Sequence, residues 1–221
     1  MAWIELKPEG GGPIRAWRAD PNGRPRGGLV VVQEIFGVNS HIRAVTDRFA
    51  AEGYLAVAPG IFEHVEKGFE VGYDPESRAR GMAIMGKVDR EQMIKDVAAA
   101  IEVAKEGGKV AVVGFCLGGT VAWAAAGRLS GLDAAVGYYG GGIIGLKDLK
   151  PRVPTLLHFG EKDQHIPISG VKEVAAAHPE VEVHIYPADH GFNCDHRESY
   201  DAPSAALAWT RTIAFLRKHL G

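Results

Sequence analysis

Lys109-Val110-Ala111-Val112-Val113-Gly114-Phe115-Cys116-Leu117-Gly118-Gly119 is the stretch whose reading decides the fold. Val110 to Val113 form a continuous apolar, β-branched run, the pattern of a strand buried on both faces. The small residues after Cys116 continue as a helical stretch from about Leu117 to Leu129. A buried strand running straight into a helix is a unit of layered α/β architecture. Gly114-Phe115-Cys116-Leu117-Gly118 also matches the G-x-S-x-G nucleophile turn, with cysteine in place of serine. So sharp a turn needs nearly side-chain-free residues two before and two after the nucleophile, and Gly114 and Gly118 meet that need. Sulfur at a helix N-terminus favours the thiolate, and the backbone N–H of Leu117 can face a developing oxyanion.

Outward from this stretch, short apolar runs alternate with helical patterns, so a mostly parallel sheet with helical crossovers is expected. Ile14 to Arg18 reads as an early antiparallel strand, and Gly28 to Gln33 as the first central one. Ser40 can cap a helix carrying Ile42, Val45 and Phe49, which Gly53 ends before the strand Tyr54 to Pro59. Asp89 opens a helix with Met93, Ile94, Val97 and Ile101 on one face. Further strands are expected over 134–139, 155–160 and 181–186, with helices over 171–177 and 205–219. Residues 60–88 form a looser stretch, longer than an ordinary connection, and are expected to carry part of the substrate pocket. With no linker-like tract, residues 1–221 read as one domain.

Two partners for Cys116 follow in chain order, an acid and then a histidine, each just past a later strand. Leu156 to Gly160 leads into Glu161-Lys162-Asp163-Gln164-His165-Ile166-Pro167, and the Gly-x-x-Asp spacing with the proline stop favours Asp163 over Glu161 as the acid. After the strand ending at Tyr186, Pro187-Ala188-Asp189-His190-Gly191-Phe192 places His190 as the general base. The other eight histidines lack this strand-end position.

Charged residues at 24% and a net charge of -2 leave no basic stripe for phosphates, so nucleic acid is not an expected partner. Met1 to Lys7 lack the charged and apolar regions of an export signal, and no apolar run spans a bilayer. A cytoplasmic protein without a membrane partner is expected, a monomer or small homo-oligomer. Two cysteines are too few for a disulfide framework, and Cys194 reads as an ordinary thiol. His190, Cys194 and His196 lack a second ligand pair, so no metal is expected, and no cofactor.

These motifs, together with Gln33-Glu34-Ile35-Phe36-Gly37-Val38-Asn39, Val136-Gly137-Tyr138-Tyr139-Gly140, Gly160-Glu161-Lys162-Asp163 and His190-Gly191-Phe192, resemble the dienelactone hydrolase (carboxymethylenebutenolidase) family over nearly the whole chain. The resemblance implies a single-domain α/β-hydrolase fold and a cysteine-dependent hydrolase of a lactone or small ester, acting through an acyl-enzyme. It implies that Glu34 contacts the Cys116 thiol and takes its proton, and that Ile35 supplies an oxyanion N–H beside that of Leu117. In the family two arginines hold a substrate carboxylate. Arg78 or Arg80 could serve as the first, but the fourth position after His190 is Cys194, and Arg197 lies further along. Met82 and Met85 stand where the family carries aromatics, and Tyr138 and Lys87 are further pocket candidates. Competing readings are a carboxylesterase or thioesterase with the same triad, and a non-catalytic ligand sensor, which would predict a disabled triad.

Overall fold

A computed structural model describes residues 1–221. Its eight strands are β1 (Ala2–Leu6), β2 (Ile14–Ala19), β3 (Gly28–Val32), β4 (Leu55–Pro59), β5 (Val110–Phe115), β6 (Ala134–Tyr138), β7 (Thr155–Gly160) and β8 (Glu182–Tyr186). They form one sheet in the order β1-β2-β4-β3-β5-β6-β7-β8. β3 to β8 pair in parallel, while β2 runs antiparallel to both β4 and β1. The helices are α1 (Ser40–Ala51), α2 (Pro75–Met85), α3 (Arg90–Ala104), α4 (Leu117–Arg128), α5 (Ile168–Ala177) and α6 (Ala202–Leu220).

Alternate residues of the central strands feed opposite faces. Leu29, Val31, Val113 and Val136 pack with Ile42, Val45 and Phe49 of α1 and Ile213 and Leu216 of α6. Val30, Val32, Val112 and Ala135 pack with Val97 and Ile101 of α3 and Val121 and Ala125 of α4. Parallel strands covered on both faces must be apolar throughout, and β3 and β5 are buried at every residue.

From β3 the chain moves to β4 on one side, then crosses back to place β5 on the other. This reversal leaves a crevice at the carboxyl ends of β3 and β5, where ligands bind in open α/β sheets. Glu34 follows β3 and Cys116 follows β5, so the crevice lies between them.

Three local features depart from the sequence reading. Asn39, not Ser40, caps α1, its Oδ1 accepting from the Ile42 N–H at 3.2 Å. β1 adds an edge strand that the reading lacked. The stretch 60–88 contains α2, opened by Asp74, whose side chain accepts from the Ser77 N–H. α2 buries only Gly81 and Ile84, too little for a helical apolar period to show.

Candidate active site

The turn from β5 into α4 is as tight as its glycines imply. A Cβ on Gly114 would stand 1.9 Å from the Gly118 carbonyl oxygen, and one on Gly118 would stand 2.2 Å from that of Val32. Cys116, between them, is held at φ 54° and ψ -114°. A non-glycine residue there carries strain of about 1–3 kcal/mol that only the surrounding packing sustains. The turn presents Sγ beyond the sheet edge, and Leu117, as the first helical residue, has an N–H without an intrahelical acceptor.

The loops after β7 and β8 bring the other two groups to the sulfur. His190 Nε2 lies 3.2 Å from Cys116 Sγ, and His190 Nδ1 lies 2.7 Å from Asp163 Oδ2. Asp163 is buried, and its Oδ1 accepts from the His165 N–H at 2.8 Å, which fixes the carboxylate. Glu161, the local competitor, is exposed. Burial alone would depress the imidazole, but the hydrogen bonds to Asp163 and Cys116 outweigh it and push the His190 pKa up to about 10. Both hydrogen bonds thus favour the protonated imidazole beside the sulfur.

Glu34 is fully buried, which is costly for a carboxylate unless it is paired. Its Oε1 accepts from Arg197 Nη1 at 3.2 Å and its Oε2 from the Tyr73 hydroxyl at 3.2 Å. In this conformation the hydrogen-bond partner of the thiol is His190, and Glu34 is committed elsewhere. Tyr73 belongs to a strap from the 60–88 stretch that lies over the loop after β3. The Val71 N–H donates to the Phe36 carbonyl, and Asn39 Nδ2 donates to the Val71 carbonyl and to the Tyr73 hydroxyl. α2 then abuts the same loop, and a Cβ on Gly81 would stand 2.5 Å from the Ile35 carbonyl oxygen. The insertion thus braces the backbone that carries Glu34 and Ile35.

The four candidate substrate-binding residues separate. Arg197 is at the site but paired to Glu34. Arg78 donates to His165 Nε2 at 3.2 Å, and the His165 ring stands edge-on to His190 at 5.8 Å, so α2 reaches the acid and base loops here. Arg80 turns away to an exposed pair with Glu66. Tyr138 is fully buried in the core, its hydroxyl 2.6 Å from Thr212 Oγ1, and does not line the site. Its neighbour Tyr139 does. At φ 39° the chain turns after β6, and the Tyr139 ring packs 5.2 Å from His190. Lys87 and Met82 are exposed.

The model of the dienelactone hydrolase family matches residues 14–220. The chain belongs to the dienelactone hydrolase family. Within it, the carboxymethylenebutenolidase of Pseudomonas putida is 34% identical over 226 residues, covering 96% of this chain and 94% of that protein. A Synechocystis protein provisionally named a carboxymethylenebutenolidase is 37% identical over 213 residues, covering 87% of this chain and 86% of that protein. A crystal structure from Klebsiella pneumoniae, provisionally named a dienelactone hydrolase, superposes with a TM-score of 0.83 at 31% identity, covering 97% and 98% of the two chains. As a member of the dienelactone hydrolase family the chain is a carboxylic ester hydrolase with the α/β-hydrolase fold. No helix is long and apolar enough to cross a membrane.

Beside the catalytic candidates of this dienelactone hydrolase family member stand Tyr73, His41 and Cys194, which no quoted motif contains, and Tyr139, which one motif contains without a role of its own. Burial leads in pushing the Cys194 thiol up to about 12, with the Glu34 carboxylate adding to it. Burial also pulls His41 below its usual range. The signal available in the sequence was position alone: Tyr139 adjoins a strand end, and Cys194 lies four residues past His190.

Proposed function

We propose that this hydrolase cleaves a lactone or small carboxylic ester through a covalent acyl-enzyme on Cys116. The observation that carries the proposal is the 3.2 Å approach of His190 Nε2 to a sulfur held on a strained turn at a helix N-terminus. The helix terminus and the imidazole of His190 both place positive charge or a hydrogen-bond donor beside the sulfur.

The thiolate attacks the carbonyl carbon, and the carbonyl oxygen takes the negative charge between the N–H groups of Leu117 and Ile35. The ring C–O bond breaks, and His190 gives its proton to the departing alkoxide. His190, now neutral, takes a proton from water, whose oxygen attacks the thioester carbonyl and expels the Cys116 thiolate. Asp163 orients the imidazole and stabilises its charged form at each stage. Tyr139 packs against the ring on which both transfers depend.

A carboxylate on the substrate is the feature we assign to Arg78. It is exposed on α2, its hydrogen-bond partner is a histidine ring rather than a carboxylate, and that ring adjoins His190. Arg197 is the second cation nearby, with Glu34 as its present counter-charge. The proposal thus favours an acidic, dienelactone-like lactone over a neutral ester. A reducing compartment such as the cytoplasm suits a working thiol.

The test compares dienelactone with neutral p-nitrophenyl esters for wild type and Cys116→Ala, with iodoacetamide labelling of the thiol. Dienelactone turnover that vanishes in the variant and on labelling is expected. Turnover of neutral esters alone would keep the nucleophile and remove the carboxylate assignment. Turnover unchanged by the substitution would refute the mechanism.

A further inference from the structure

Three segments, two of them far in sequence from the third, meet in one buried cluster. Glu34 comes from the loop after β3, His41 from the first turn of α1, and Cys194 from the loop after β8. All three are buried, and one carboxylate oxygen, one ring nitrogen and Sγ lie within 4.8 Å of one another. Carboxylate, imidazole and thiolate are the three donor types that borderline-soft divalent cations accept together.

His41 supplies an independent observation. Its ring is 3% exposed, its Nδ1 lies 3.1 Å from Asp195 Oδ1, and its Nε2 has no partner. A buried polar atom without a partner is rare and calls for an occupant. With Nδ1–H donated to Asp195, Nε2 carries the free lone pair, the arrangement in which a carboxylate orients a metal-binding histidine. The Tyr139 hydroxyl is a second buried group without a partner.

We propose that Glu34, His41 and Cys194 bind one thiophilic divalent cation such as zinc, with Asp195 orienting His41. The cation displaces the thiol proton of Cys194, which leaves to solvent; with Glu34 already balancing Arg197, the Cys194 thiolate and the nearby Asp195 carboxylate are the charges that offset it. Glu34 takes part through lone pairs that Arg197 and Tyr73 leave free. The fourth position of a tetrahedral cation falls to water, as in sites with three protein ligands. Cysteine and histidine spacing near His190 argued against a metal because two of these three ligands come from the other half of the chain. The proposal does not rest on the hydrolytic mechanism, since none of its three ligands is the assigned nucleophile, acid or base, but it shares Glu34 with the Arg197 pair beside the site.

The test uses the folded Cys116→Ala protein, which removes the other thiol, titrated with cobalt(II) while the near-ultraviolet thiolate-to-cobalt charge-transfer band is followed. One equivalent should saturate the band, and zinc should then abolish it. Cys194→Ala in the same background should lack the band. Asp195→Ala, at an exposed residue where folding is not at risk, should weaken cobalt binding about 10- to 100-fold. Absence of the band in folded Cys116→Ala protein, or undiminished binding in either further variant, would overturn the proposal. The cobalt spectrum is read without substrate, so its outcome is independent of whether Cys116 is the nucleophile.

Discussion

The guanidinium of Arg197 stands 3.2 Å from the carboxylate of a fully buried Glu34, closing an ion pair between the loops after β8 and β3. Removing one partner of such a pair leaves a desolvated charge uncompensated. Arg197→Ala should therefore lower stability by about 3–5 kcal/mol. Arg197→Ala combined with Glu34→Gln should recover part of that loss, because the remaining amide carries no charge. Urea unfolding of the two variants checks this, and equal losses in both would show that the charge is not what matters.

Gly118 packs against the end of β3 so closely that a Cβ would stand 2.2 Å from the Val32 carbonyl oxygen. The obstacle is backbone on a central strand, which cannot move aside cheaply. Gly118→Ala should cost about 3 kcal/mol or more and displace the turn that carries Cys116. Thermal unfolding together with iodoacetamide labelling would record both effects.

Much of this was legible before the fold was known, for reasons that particular residues make plain. The strand and helix around Cys116 announce themselves through a β-branched run followed by small residues, and Gly114 and Gly118 fix the turn between them. Asp163 and His190 were found by chain order and strand ends, which are local signals. The α2 helix was not legible because it buries only two residues, and a period cannot show in so few. Tyr138 is a pocket candidate by motif alone, and no local signal tells it from its neighbour Tyr139. The positive φ of Tyr139, where β6 ends, has no sequence signature. The meeting of Glu34 and His41 with Cys194 depends on the five connections from β3 to β8 and has no local signature at all.

The two neighbouring tyrosines should separate on substitution. Tyr138→Phe removes a buried hydrogen bond to Thr212, so about 1 kcal/mol of stability should go while kcat holds. Tyr139→Phe removes a buried hydroxyl that has no partner, so stability should hold or rise. Denaturant unfolding and steady-state kinetics on both variants test the pair. A kcat loss confined to Tyr138→Phe would reverse the assignment.

Asp163→Asn should keep the fold but lose the charge that holds His190 protonated and oriented. A fall in kcat of about 10³- to 10⁴-fold is expected, following the behaviour of acid-to-amide changes in triads. Because Asp163 is a principal cause of the raised His190 pKa, the alkaline limb of the pH–rate profile should also move to lower pH in this variant. A profile unchanged in position would disconnect the acid from the base.

His158 is fully buried between the Tyr186 hydroxyl at 2.8 Å and Thr212 Oγ1 at 3.0 Å, and burial holds its pKa well below the ordinary 6.5. The unfolded chain takes up this proton near 6.5 and the folded chain does not. Stability should therefore fall as pH drops below 6.5, by up to about 1.4 kcal/mol per pH unit for this one group. His41, also depressed by burial, adds in the same direction. Urea unfolding across that range should show a shallower pH slope in His158→Gln than in wild type.

The central claim is that Cys116 forms a covalent bond to the acyl group of the substrate. The direct measurement is the mass of protein quenched in acid during turnover of a p-nitrophenyl ester, followed by peptide mapping. A mass increase of one acyl group on the peptide that contains Cys116, absent in Cys116→Ala and lost as substrate is exhausted, is the result expected. Turnover with the acyl group never found on that peptide, in a protein whose Cys116→Ala variant is equally active, would contradict it.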